Sequence, residues 1–279
     1  MNIQFCLLPP LINKSESYYE SHLQKTLNEI NILLTCDKVN TLTIVVYDLI
    51  DEFNRVTGEL IVQKKRVKSV GFLKNIKSKT QNKNVFYRLF RAIKENETKE
   101  QLLNWVEEIG NPIADSFVFV GNHKNKQLTT NVALDYVTKN NTINKSYGSV
   151  VIFHRKNEYE RCLKRIHLGV SFFVSQIIVD NIHNTNTKKI FNLDIPIYIT
   201  LTPITSNMIW NMLQGLGVIT NNNFIVPTDD VSVNNHLYEL MKFVHKEKQY
   251  ISFEIITHNK NKRINTLVKF RKLLNKLFL

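Results

Sequence analysis

Several side chains able to bind or react stand where runs of β-branched and aromatic residues stop: Cys6, Tyr47 with Asp48, Gly121 with Asn122, His154, Gln176, Thr202, and Glu254 or His258. Arg88, at the end of the run 85–89, belongs with them. The set is polar but mostly uncharged. Paired carboxylates, metal-ligand spacing, a Gly-x-Ser-x-Gly elbow and a phosphate-cradling glycine loop are all missing, which points to a site without a metal. Cys6 has two readings. A free cysteine is most often a small buried apolar side chain, and it becomes reactive only beside cations that lower its pKa. Gln176 stands among Phe172, Phe173, Val174, Ile177 and Ile178, so its amide must find partners if buried. Arg161, Lys164 and Arg165 are spaced three and four residues apart, which puts them on one side of a helix. A solvated basic face would give the same spacing.

The elements that position these residues alternate. Strand-like runs fall at 3–8, 42–47, 85–89, 116–120, 149–153, 172–178, 197–201 and 251–256, with amphipathic segments between them. In 158–168, Tyr159, Cys162, Leu163 and Ile166 recur at helical spacing. Pro9-Pro10 closes the first run, since no strand interior tolerates two prolines. Eight strand–helix units without a Gly-x-Gly-x-x-Gly turn predict a single (β/α)8 TIM barrel over 1–279, a fold that commonly takes about 250 residues. Its active site is expected at the C-terminal ends of the strands.

The net charge of +13 raises nucleic acid or anionic lipid as partners, and the charge is densest between Lys64 and Lys83. No nucleic-acid motif accompanies it, so a solvated basic segment is the expectation. No apolar run is long enough to span a bilayer. Three widely spaced cysteines, Cys6, Cys36 and Cys162, fit neither a disulfide framework nor a zinc site. A cytoplasmic protein with reduced thiols is expected.

The stretch Leu168-Gly169-Val170-Ser171-Phe172-Phe173-Val174-Ser175-Gln176 resembles the "agAdFfiTQ" segment of the methylenetetrahydrofolate reductase family. Phe5-Cys6-Leu7-Leu8-Pro9-Pro10 is similar to that family's "FEfFPP", Phe119-Val120-Gly121-Asn122 to its "lRGD" turn, and Ile195 to Thr205 to its "iPiipGimPit" strand. The resemblance runs from the first strand to beyond the seventh. It implies a (β/α)8 flavoprotein of one-carbon metabolism that passes a hydride from NAD(P)H through FAD to a folate. Gln176 would bind the pterin, and Gly121 and Asn122 would approach the flavin. Tyr47, Arg88 and His154 would join the cofactor site. Glu158, Arg161, Lys164 and Arg165 would hold the ribose and phosphates, Lys164 and Arg165 facing the diphosphate.

The departures bear on proton chemistry. The family's catalytic glutamate is Cys6 here, and a thiol with a free pKa near 8.5 is a weak substitute as general acid. Asn122 and Val120 replace an aspartate and an arginine of the turn. Two functions follow: a divergent FAD-dependent reductase with Cys6 at the catalytic position, or a catalytically silent flavin- or folate-binding barrel, with a homo-oligomer or a methyltransferase as partner.

Overall fold

The structure, a computed structural model, describes residues 1–48, 52–53, 60–61, 65–121, 127–179, 185–218, 227, 229–257 and 260–278. In chain order the elements are β1 (Asn2–Leu7), α1 (Glu16–Leu34), β2 (Thr41–Tyr47), a two-stranded ribbon of β3 (Glu52–Phe53) and β4 (Leu60–Ile61), α2 (Ser69–Lys79) and β5 (Val85–Ala92). Next come α3 (Lys99–Asn104), which continues into a π-helical turn (Trp105–Gly110), β6 (Ser116–Val120), α4 (Thr130–Asn140), β7 (Ser146–Val151), α5 (Glu158–His167) and β8 (Val170–Ile178). The chain ends with α6 (Thr185–Phe191), β9 (Ile197–Leu201), α7 (Asn207–Gly215), α8 (Asp230–Lys246), β10 (Tyr250–Glu254) and α9 (Lys260–Leu277).

Eight parallel strands close into a barrel in the order β1-β10-β9-β8-β7-β6-β5-β2, so the expected TIM barrel is the observed fold. Period-2 alternation sorts each strand into two layers. Ile3, Phe5 and Leu7, Leu42, Ile44 and Val46, Ile197, Ile199 and Leu201, and Ile251 and Phe253 point outward into the helix-facing core. Phe253 stacks on Phe270 of α9 at 3.7 Å between centroids. The inward set includes Cys6, Val45, Phe90, Val118, Phe172 and Val174. Both faces are buried, so the strands read as nearly continuous apolar runs.

The prolines do more than stop β1. The Pro10 carbonyl accepts from Val67 N at 2.9 Å and the Pro9 carbonyl from Arg66 Nη1 at 2.7 Å. The segment before α2 is thereby pinned beside the end of β1. That arginine, together with Lys77 on the Ile113 carbonyl and Lys79 near Glu20, shows part of the basic segment engaged within the fold; Lys64 lies outside the described residues. No described helix is long and apolar enough to cross a membrane.

The third run, β5, continues three residues further than expected, to Ala92, and the fifth, β7, begins three residues earlier, at Ser146, its register with β8 shifting between Tyr147 and Gly148. Gly148 sits opposite Phe172, whose ring would lie 2.1 Å from any Cβ placed there. The bare backbone lets that ring fill the barrel. β8 carries its own irregularity between Val174 and Ile177, a bulge that holds Ser175 and Gln176.

Candidate functional site

Five consecutive strands, β2, β1, β10, β9 and β8, each bring a polar side chain to the C-terminal mouth: Tyr47, Cys6, Glu254, Thr202 and Gln176. On the strands β5, β6 and β7, the described inward residues near the rim are apolar, Phe90, Val118, Val120 and Val150. The mouth is therefore two-sided. One arc can hydrogen-bond an edge, and the facing arc can pack against a flat ring.

Cys6 pairs in register with Glu254 of β10 on one side and Val45 of β2 on the other. Its Sγ accepts from Tyr47 Oη at 3.0 Å, stands 3.4 Å from Ser252 Oγ and is approached by Gln4 Nε2 at 3.7 Å. Burial, with the Glu254 carboxyl adding to it, pushes the thiol up to about 12. At neutral pH this is a protonated, hydrogen-bonded core thiol. A protonated thiol held this way is a weak acid and a weak nucleophile, and that is the state in which Cys6, the residue expected at the catalytic position, stands in the barrel.

Among the described residues of the mouth, Glu254 is the carboxyl brought toward neutrality. Burial pushes its carboxyl up to about 7, opposed by the field of Arg263 and by hydrogen bonding from Tyr47. The single Tyr47 hydroxyl proton stands between the Cys6 sulfur and this carboxyl, and burial holds the phenol well above its usual range. Tyr47 is braced edge-on by Phe90 at 4.7 Å. Arg263, on α9, donates through Nε and Nη2 to Glu29 of α1 at 2.9 Å each, and through Nη1 to the Ile255 carbonyl at 2.8 Å. The residue after Glu254 is thereby fixed in place.

Beside it lie two buried oxygens without a hydrogen-bond partner among the described residues, Thr202 Oγ1 and Gln176 Oε1. Thr202 continues the inward alternation of Tyr198 and Thr200, and only 1% of it is exposed. Neighbouring polar groups are satisfied: Ser175 Oγ accepts from Thr200 N at 2.8 Å, and Thr200 Oγ1 donates to the Ser175 carbonyl at 2.8 Å. Orphaned polar atoms are uncommon in native interiors, and at the end of a barrel they mark where a ligand would complete the pairing.

The remaining expected site residues are dispersed. Arg88 is buried inside the barrel, deeper than Cys6: Nη1 donates to Gln4 Oε1, Nε to Ser116 Oγ at 2.9 Å, and its guanidinium lies 3.7 Å from the Phe172 ring centroid and 4.7 Å from that of Tyr198. It stands as a buried cation inside the barrel, below the level of the mouth. Glu158 and Arg165 form an ion pair within α5, Arg165 Nη1 3.3 Å from Glu158 Oε1, and tie the helix to the end of β7: Arg165 Nη1 donates to the Val150 carbonyl at 2.7 Å and Ile152 N donates to Glu158 at 3.1 Å. Arg155 adds a contact to Glu158 Oε2 at 3.6 Å.

Glu158, Cys162 and Arg165 form the inward stripe of α5, whereas Arg161 and Lys164 are exposed. The three cations expected to hold the ribose and phosphates therefore differ in exposure: Arg165 is engaged by Glu158 and the Val150 carbonyl, while Arg161 and Lys164 reach solvent. Gly121 is exposed where β6 ends, and His154 is exposed in the turn after β7. Asn122 and His258 lie outside the described residues. Asp48 accepts from Ser69 Oγ at 2.5 Å and faces Arg91 at 3.9 Å. No group of histidine, cysteine, aspartate and glutamate among the described residues could hold a metal ion.

No protein-family model and no curated protein matches the chain. Solved structures do. An uncharacterized protein from Clostridium thermocellum that binds two copies of 5-methyl-5,6,7,8-tetrahydrofolic acid superposes with a TM-score of 0.69 at 18% identity, over 98% of this chain and 95% of its own. An aldo-keto reductase from Bombyx mori in complex with NADP gives 0.53 at 7% identity, over 98% and 87%. A GH113 β-1,4-mannanase gives 0.51 at 8%, over 97% and 98%. At these identities the likeness is one of fold, the closed (β/α)8 barrel.

Proposed function

We propose that the mouth binds a reduced folate through its pterin ring, in a divergent barrel of the methylenetetrahydrofolate reductase type. The observation that carries this reading is the pair of partnerless buried oxygens, Thr202 Oγ1 and Gln176 Oε1, on the strands next to Glu254. A pterin offers N–H donors and a carbonyl along one edge of a flat ring. The amide oxygen of Gln176 accepts, the hydroxyl of Thr202 donates or accepts, and the apolar arc of Phe90, Val118 and Val150 suits the ring. The folate-binding barrel from Clostridium thermocellum supports the same ligand class.

FAD would supply hydride transfer if bound, with Tyr47, Gly121 and His154 nearest the mouth. The helix expected to hold its diphosphate does not fit that task, because Arg165 is committed to Glu158 and to the Val150 carbonyl. That misfit favours a folate-binding barrel over a flavin-dependent reductase. Calorimetric titration with 5-methyltetrahydrofolate tests the reading: one saturable site weaker than about 1 μM but tighter than about 1 mM is expected. An absorbance titration with FAD separates the alternatives. A tightly held flavin would restore the reductase reading, and absence of any folate binding would overturn the proposal.

A further inference from the structure

Glu254 occupies an unusual place. It is the register partner of Cys6, it shares the Tyr47 hydroxyl with that thiol, and it lies between β1 and β9, so Thr202 flanks it on the far side. Its backbone is held by β10 pairing and by the Arg263 clamp on the next residue. The titratable or charged groups facing it are Tyr47 from β2, Cys6 from β1 and Arg263 from α9, the last already bound to Glu29 of α1. Cys6 and Tyr47 stay neutral across the physiological range because burial opposes their ionisation. Glu254 alone of the mouth trio changes charge there.

Resting on the folate reading above, we infer that Glu254 is the proton donor of the mouth: its carboxyl O–H bond breaks and an N–H bond forms on a ring nitrogen of the bound pterin. Carboxylate and protonated ring then face one another as an ion pair, with Tyr47 as the positioning residue that turns its hydroxyl proton to the new carboxylate. No oxidant or reductant takes part. The transfer is possible because a carboxyl titrating near neutrality is matched to a weakly basic ring nitrogen, as general acid catalysis requires. This residue does the acid's work that the Cys6 thiol cannot.

The consequence is linkage between binding and protons. Below pH 7 the proton is already on Glu254, so binding takes up none from solution. Above pH 7 the carboxylate must first regain a proton, so affinity for 5-methyltetrahydrofolate falls toward tenfold per pH unit and uptake approaches one proton per site. Calorimetry between pH 6 and 8.5, in two buffers of different ionisation enthalpy, reads both quantities. A difference spectrum of the bound ligand reads ring protonation directly. Glu254→Gln should bind with pH-independent affinity and without the spectral change. Tyr47→Phe should move the wild-type midpoint upward, because the lost hydrogen bond had favoured the carboxylate. Saturable binding with a flat pH profile in the wild type would overturn the proton donor and leave the folate reading standing. No binding at any pH would overturn both.

Discussion

At the residue scale the site turns on a carboxyl in a poor solvent. Burial raises the pKa of Glu254 in the folded state from its ordinary value of 4.5 to about 7. A raised carboxyl binds its proton more tightly in the folded state, so its contribution is fully favourable below about pH 4.5 and is lost as pH climbs through 7. The difference is at most about 3.5 kcal/mol, at about 1.4 kcal/mol per pKa unit, and less where the rim is wet. Glu254→Gln should therefore leave the melting temperature nearly unchanged at pH 4.5 and raise it by a few degrees at pH 8. A melt series across that range checks it. A variant that loses stability at pH 8 would show that the carboxylate is compensated in the native state. Cys6 illustrates what the sequence could and could not say. Its burial followed from its type, while the carboxyl in register beside it depends on closure of the last strand onto the first, 248 residues away.

At the element scale, α5 shows how a spacing argument goes astray. Arg161, Lys164 and Arg165 are three and four residues apart, yet the helix's inner stripe of Glu158, Cys162 and Arg165 assigns the last of them to the barrel side. Two cations face solvent and one is a strut. Arg165→Ala would strand the fully buried Glu158 carboxylate with only the longer contact to Arg155 and should cost about 3 kcal/mol. Lys164→Ala should fall within about 0.5 kcal/mol of wild type. Chemical denaturation of both variants decides between strut and clamp, since a clamp would give two variants of equal stability that differ from wild type only in ligand affinity. The β8 bulge was equally out of reach of the sequence. Gln176 was recognisable as an amide needing a partner, but the extra residue that re-aims this stretch leaves no mark in an apolar run. Gln4 and Ser252 did leave one, as polar residues on the inward parity of β1 and β10, and these register partners are joined at 2.8 Å below Cys6 and Glu254.

At the scale of the whole molecule, the fold was legible because eight apolar runs at regular intervals admit few closed arrangements, and the strand ends then marked one face for chemistry. The division of that face into a polar arc and an apolar arc was not legible. It follows from the order in which distant strands meet around the ring. On this account the polar arc is kept unsatisfied for a ligand at some cost to the empty protein. The Thr202 hydroxyl carries that cost, so replacing it should stabilise the empty barrel and weaken the filled one.

A thermal melt of wild type and Thr202→Val, each with and without 5-methyltetrahydrofolate, measures both effects at once. Without ligand the variant should melt higher, because an unpartnered buried hydroxyl costs about 1 to 3 kcal/mol. Ligand at about a hundred times its dissociation constant should add about 2.7 kcal/mol to the wild type and distinctly less to the variant, closing or reversing the gap. A variant that melts lower than wild type when empty, or a ligand that shifts both proteins equally or neither, would contradict the assignment of the mouth as a folate site.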